Sequence, residues 1–169
     1  YIVKIRGEEM QRAAEKNSGT MATILGLDCD TVEDICRRND AAGPVQVANY
    51  NSPLQTVISG IIDGVRSAMR DAKDAGAKIV KELSVSGAFH SQLMLPAVEP
   101  LKAELIRRDF RDTHIPVIPN VTAESEISGE QLRNLLVKQV TNPVRWSESV
   151  EAMKAYGVTR FIEVGPGKV

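Results

Sequence analysis

The residue best suited to move a proton in this chain is His90, in the segment Ser84-Val85-Ser86-Gly87-Ala88-Phe89-His90-Ser91-Gln92-Leu93-Met94. Imidazole ordinarily titrates near pH 6.5, so it can accept and return a proton at neutral pH. The extended stretch before it breaks at Gly87, which mounts the histidine just past a strand end. A histidine so placed is more often packed and hydrogen-bonded for structure alone, and its neighbours must decide the matter. The second histidine, His114, sits in the polar connector Asp112-Thr113-His114-Ile115-Pro116 and reads as a surface residue. Cys29 and Cys36 have neither metal-ligand spacing with the histidines nor the density of a disulfide scaffold. Gly165-Pro166-Gly167 lacks the length and the Lys-Ser/Thr ending of a phosphate loop and reads as a turn.

The elements that would carry these residues belong to an ordinary globular composition of 169 residues, 43% apolar and 25% charged. That is enough chain to bury a core and too apolar for disorder. A net charge of -1 and an aromatic content of 4% give no basic, stacking surface, so nucleic acid is not an expected partner. No apolar run approaches the roughly 20 residues needed to span a bilayer, and the first residues lack a signal-peptide pattern. The expected location is a reducing cytoplasm, with no membrane association and no metal. The chain starts at Tyr1 inside a helical pattern and stops after a Gly-Pro-Gly turn, so both ends are expected to be cuts in a longer protein.

Periodicity predicts a helix through Ile2, Val3, Ile5, Met10, Ala13 and Ala14. From residue 20 to residue 83 the pattern reads β-α-β-β-α-β: a strand over Met21–Leu27 and a helix capped by Asp30 or Thr31. Strands over Val45–Tyr50 and Thr56–Ser59 follow, joined by an Asn51-Ser52-Pro53 loop. A helix from Ile61 to about Ala75, stopped by Gly76, and a strand over Ile79–Val85 complete a ferredoxin-like order. Beyond His90, helices at 96–110, 129–140 and 146–156 alternate with short strands at 115–121 and 159–164, the last expected to be interior. Ser128 is the expected cap of the second of these helices, and Trp146 is expected to pack the start of the third.

Gly87-Ala88-Phe89-His90-Ser91 with Leu93-Met94 resembles the histidine motif of malonyl-CoA:acyl carrier protein transacylases. Arg6-Gly7 with Met10-Gln11 resembles that family's arginine segment, and Asn49-Tyr50-Asn51-Ser52-Pro53 with Val57-Ile58-Ser59-Gly60 resembles its substrate-side hairpin. Asn120-Val121-Thr122-Ala123, Asn142-Pro143-Val144-Arg145-Trp146 and Glu163-Val164-Gly165-Pro166-Gly167-Lys168-Val169 match in the same order. The resemblance covers essentially the whole chain.

The resemblance implies an α/β-hydrolase-like core carrying an inserted ferredoxin-like subdomain, with the site in the cleft between them. On that plan residues 1–19 are a core helix, 20–83 the subdomain and 84–169 the remainder of the core. It implies ping-pong acyl transfer for fatty acid biosynthesis: a serine takes malonyl from malonyl-CoA, and the phosphopantetheine thiol of acyl carrier protein takes it from the serine. No cofactor is implied beyond the one riding on the partner. His90 would be the general base. Gln139 would supply the backbone carbonyl that orients it. Arg6 would bind the malonyl carboxylate through paired hydrogen bonds, disfavouring neutral acetyl. Phe89 would suit malonyl over methylmalonyl, and Asn49 and Asn51 would line the cleft.

Departures matter as much. The family's Gly-His-Ser-Leu-Gly nucleophile segment and its glutamine-bearing oxyanion segment occur nowhere in these residues. Alone, the chain is therefore expected to show no turnover. Gln92 stands where proline is more usual, a change in the supporting turn. An acyltransferase domain of a polyketide synthase is the nearest alternative, and a non-catalytic carrier-protein-binding module is one of another class.

Overall fold

The chain opens with helix α1 (Ile2–Lys16) in the computed structural model, which describes residues 1–164. Gly165-Pro166-Gly167, expected to be a turn, lies outside the described residues. Met10, Ala13 and Ala14 are the buried stripe of α1, and Arg6, one turn before Met10, lies half-buried on the same stripe.

Next come β1 (Gly19–Leu25), α2 (Cys29–Asn39), β2 (Val45–Ser52), β3 (Gln55–Ile61), α3 (Ile62–Asp74) and β4 (Ile79–Glu82), in the order expected. The strands form one antiparallel sheet ordered β2-β3-β1-β4. Alternation divides its side chains between two faces. Ala22, Ile24, Val45, Val47 and Ile58 meet Val32 and Ile35 of α2 and Val65, Ala68 and Ala72 of α3 in a dry cluster. Met21, Ala48 and Val57 form a smaller cluster, with Leu83 and Phe89 packed against it.

Two local expectations are corrected here. Asp28 caps α2 instead of Asp30 or Thr31: it sits in extended geometry before the helix and accepts from the Thr31 amide at 2.8 Å and the Thr31 hydroxyl at 3.1 Å. The hairpin turns at Pro53-Leu54, because Ser52 still pairs with Gln55, so Asn51 is a strand residue and not a loop residue. The register also slips between Val47 and Asn49 and again between Tyr50 and Ser52. Each slip inserts one unpaired residue and reverses the alternation beyond it. The first slip brings Tyr50 onto the helix-side cluster with Val45 and Val47, and leaves Asn49 on the opposite face with Gln46.

After β4 the chain forms a 3₁₀ turn (Gln92–Ala97), α4 (Val98–Ile106), α5 (Gly129–Lys138) and α6 (Trp146–Ala155). Ser128 caps α5 as expected, and Gly76 and Gly157 stop α3 and α6 with φ of 94° and 83°. Met10, Ala13 and Ala14 of α1 join Met94, Ala97, Leu101, Leu105 and Val140 in a second large cluster. The helix expected over 96–110 runs over 98–106, because Pro96 falls in the tighter 3₁₀ turn.

Neither late strand forms. Residues 115–121 make only the bridge Val117 to Glu126, since Pro116 and Pro119 lack the amides a ladder needs. Residues 159–164 pair with nothing among the described residues, and Ile162 and Val164 are 78% and 92% exposed instead of interior. An apolar run becomes a strand only where a neighbour supplies hydrogen bonds. Trp146 starts α6 but is half exposed, so it does not seal that helix start. The fold is α/β, with a small antiparallel sheet.

Candidate active site

The His90 segment is tied to α1 at three points. A Cβ on Gly87 would stand 2.4 Å from the Ala14 Cβ, so only glycine lets the chain cross the helix this closely. The Ser86 hydroxyl donates to Gln11 Oε1 at 2.9 Å, and the Asn17 amide donates to the Leu93 carbonyl at 2.8 Å. Arg6 and His90 are thereby carried on elements fixed to one another. Past Gly87, the buried Ser91 hydroxyl donates to the Ala88 carbonyl at 2.6 Å and accepts from the Leu93 amide at 3.3 Å, which starts the 3₁₀ turn. His90 itself has φ of 57°, a left-handed conformation costing a side-chain-bearing residue about 1 kcal/mol or more.

The opposing wall is the turn after α5. Val144 is zipped to β2, its amide donating to the Ala48 carbonyl at 2.8 Å and its carbonyl accepting from the Tyr50 amide at 2.9 Å. Arg145 donates to the Thr122 carbonyl at 3.1 Å, joining two of the sequence blocks singled out above. Within this turn the Gln139 and Asn142 carbonyls stand 3.0 and 3.2 Å from His90 Nδ1. Both are acceptors only, so Nδ1 must carry the proton and Nε2 keeps its lone pair. That is the tautomer a general base needs.

The His90 pKa is lowered by burial first and by the positive charge of Arg6; the Gln139 and Asn142 carbonyls oppose this by accepting from the ring. The ring is thus held neutral near pH 7, free to accept a proton. Arg6 is half-buried on α1, and burial pulls its guanidinium below the ordinary arginine range. No carboxylate lies within ion-pair distance of it among the described residues. A half-buried guanidinium with no such partner suits a carboxylate brought by a ligand.

The other expected site residues are placed less pointedly. Gln139 meets His90 most closely through its backbone carbonyl; its side-chain Nε2 stands farther off at 3.4 Å from Nδ1 and donates to the Asn142 and Pro143 carbonyls at 3.0 and 3.2 Å, bracing the turn. Asn49 and Asn51 are half-buried on β2, Asn49 bridging Val144. Phe89 packs against both the α1–α4 cluster and the smaller sheet cluster, wedging the two together. The Asn142 carbonyl was missed as a second acceptor; it lies in a block that the sequence flags, but nothing in a sequence says which carbonyl turns inward. His114 is exposed, as expected.

Neither cysteine is a rival nucleophile: burial raises the Cys36 thiol to about 12, and burial with nearby carboxylates raises Cys29. Among the described residues no helix is long and apolar enough to cross a membrane, and no group of three or more His, Cys, Asp or Glu is placed to hold a metal ion.

Fold and site together define an α/β protein that presents a neutral histidine, oriented by two carbonyls, within electrostatic reach of an arginine that pairs with no carboxylate among the described residues. The chain belongs to the acyl transferase domain family, whose model matches residues 2–168. The malonyl CoA-acyl carrier protein transacylase of Bacillus subtilis is 45% identical over 170 residues, covering 100% of this chain and 54% of the relative. That of Escherichia coli K12 is 42% identical over 99% of this chain and 54% of its own length. Among solved structures, the acyl-carrier-protein S-malonyltransferase of Burkholderia pseudomallei superposes with a TM-score of 0.95 at 40% identity, over 99% of this chain and 55% of that one. A malonyl-transacylase in complex with a type II PKS acyl-carrier protein gives 0.93 at 39% identity, over 98% and 54%. The chain therefore spans about half the length of the relatives it matches.

Proposed function

We propose that these residues supply the general base and the carboxylate clamp of a malonyl-CoA:acyl carrier protein transacylase. The observation that carries this reading is His90, locked as the Nδ1–H tautomer by the Gln139 and Asn142 carbonyls, on elements shared with the unpaired Arg6. His90 Nε2 takes the proton of a serine hydroxyl as the serine oxygen attacks the malonyl thioester. It returns that proton to the departing CoA sulfur, so a malonyl ester of the serine and free CoA result. The phosphopantetheine thiol of acyl carrier protein then loses its proton to Nε2 and takes the malonyl group, and Nε2 passes that proton to the departing serine oxygen, regenerating the serine hydroxyl and the neutral base. The serine lies outside these residues, and Cys29 and Cys36 cannot stand in for it. Arg6 pairs with the free malonyl carboxylate, and acetyl would leave it unpaired.

The antiparallel order β2-β3-β1-β4, with α2 and α3 on one face, supports reading residues 20–83 as a ferredoxin-like insert. Residues 1–19 and 84–169 would then belong to an α/β-hydrolase-like core. Phe89, Asn49 and Asn51 would line the acyl cleft, which needs no cofactor of its own, and the setting would be cytoplasmic fatty acid synthesis. The likeness to the PKS-associated transacylase favours one second reading, service to a polyketide carrier; relative transfer rates to fatty-acid and polyketide carrier proteins decide between them.

The decisive experiment adds labelled malonyl-CoA to this chain and to a full-length protein containing it. Label is expected to be retained by the full-length protein alone, and label retained by residues 1–169 would place the nucleophile here. In the full-length protein Arg6→Ala is expected to lower the malonyl-over-acetyl preference by about 10- to 100-fold, the worth of hydrogen bonds to a charged group. An unchanged preference would remove Arg6 from the reading.

A further inference from the structure

We infer that Gln46 is the positioning residue of His90: a single side-chain amide on β2 holds the backbone of the histidine and the carbonyl turn that orients its ring in one fixed relation. This rests on the reading of His90 as the base. Gln46 Nε2 donates to the His90 carbonyl at 3.2 Å and, at 3.5 Å, faces the Thr141 carbonyl. Gln46 Oε1 accepts from the Gln92 amide at 3.3 Å. Thr141 lies between Gln139 and Asn142, whose carbonyls meet the imidazole. One amide therefore reaches both halves of the base, adding directional hydrogen bonds to the apolar packing of Val140 against Met94 that also joins them.

The amide can adopt one orientation only. A flipped Gln46 would turn its oxygen onto two carbonyl oxygens and its NH2 onto an N–H, leaving three contacts repulsive. Its mount is rigid, since Val45 and Val47 on either side are locked in the main sheet cluster and its cross-strand partner Ser59 is fully buried. The residue it holds needs holding. His90 has φ of 57°, and Gln46 bonds the His90 carbonyl and the Gln92 amide, which belong to the two successive peptide groups that follow it. Function-bearing groups keep their geometry when the residues behind them are fixed by packing and hydrogen bonds.

The test is ¹⁵N NMR of the imidazoles in this chain, where the exposed His114 is the only other histidine. In the wild type the His90 Nδ1 proton is expected to be present and slow to exchange. Gln46→Met keeps the length of the side chain and removes all three contacts. It is expected to shift His90 toward the Nε2–H tautomer and to speed Nδ1 proton exchange at least about tenfold, while the β1–β3 amides keep their shifts. A residue with a merely structural role would change stability and leave the tautomer alone. An unchanged tautomer and exchange rate in folded Gln46→Met would overturn the inference.

Should that variant not fold, the wild type decides. A hydrogen-bond coupling between Gln46 Nε2 and the His90 carbonyl carbon, with slowed exchange of the Gln46 amide protons, upholds the inference; a freely exchanging amide without coupling overturns it. Neither readout requires malonyl transfer. If His90 proves not to be the base, that failure appears in turnover of the full-length protein and not in these spectra.

Discussion

The sheet with its two helices and the His90 region are held together by different physics. Around Ile24, Ile35, Ile58 and Val65 the side chains are fully buried and apolar, and burial of each contributes about 1.5–3 kcal/mol without regard to direction. Around His90, packing of Phe89, Leu93 and Met94 seats the segment, but hydrogen bonds set the direction of its polar groups. Side chains reach carbonyls there: Asn17 to Leu93, Gln46 to His90 and Arg145 to Thr122 across the fold, and Gln139 to Pro143 within its own turn. Such bonds contribute only about 1 kcal/mol each, but they are directional, and direction is what a base requires. The first region tolerates changes of shape at a cost in stability; the second tolerates almost none without a cost in chemistry.

Substitutions can break that division, the largest effect falling on the chemistry. His90→Ala in the full-length protein is expected to slow malonyl transfer by about 10²–10⁴-fold while leaving the denaturation midpoint nearly in place. A large loss of stability with normal transfer would reverse the assignment. In the sheet layer, Ile58→Ala should lower unfolding free energy by about 2–5 kcal/mol in urea titration, yet leave the His90 tautomer as it is. A shift of tautomer would show that the two regions are not separable.

Gly87→Ala tests the junction between them. Its new Cβ has no room against Ala14, so a loss of about 1–3 kcal/mol is expected, together with altered His90 resonances. The smallest effect is on pH dependence. The folded state holds His90 below the ordinary value near 6.5, so the unfolded chain binds the proton first as pH falls. Stability is then complete above about pH 6.5, declines below it, and levels off once the folded-state value is passed. His90→Gln should flatten that part of the stability profile; an unaltered slope would mean that the imidazole is not held neutral.

Much of the regular architecture was legible in the residues. The stripe Met10, Ala13 and Ala14, the β-α-β-β-α-β order, the Ser128 cap and the Gly76 stop all follow from local spacing and local backbone preference. The histidine motif pointed to His90 and, through its resemblance, to a carbonyl at Gln139, where the ring indeed finds one. The strands at 115–121 and 159–164 were misread because strand formation depends on a neighbour that periodicity does not mention. The register slips in β2 were invisible for a related reason: a bulge is a property of the pair, and either strand alone reads as regular.

Gln46 marks the boundary between the two kinds of information. In the sequence it is one polar residue in Val45-Gln46-Val47, indistinguishable from a solvent-facing strand position. Its partners lie 44 and 95 residues away, at His90 and Thr141. The sequence by itself determined the helices and the order of the four-stranded sheet with its two helices, and that one histidine sits at a glycine break. Only the tertiary structure decided which nitrogen of that histidine is free, because the carbonyls and the amide that settle it come from segments brought together by packing, and no local preference encodes their meeting.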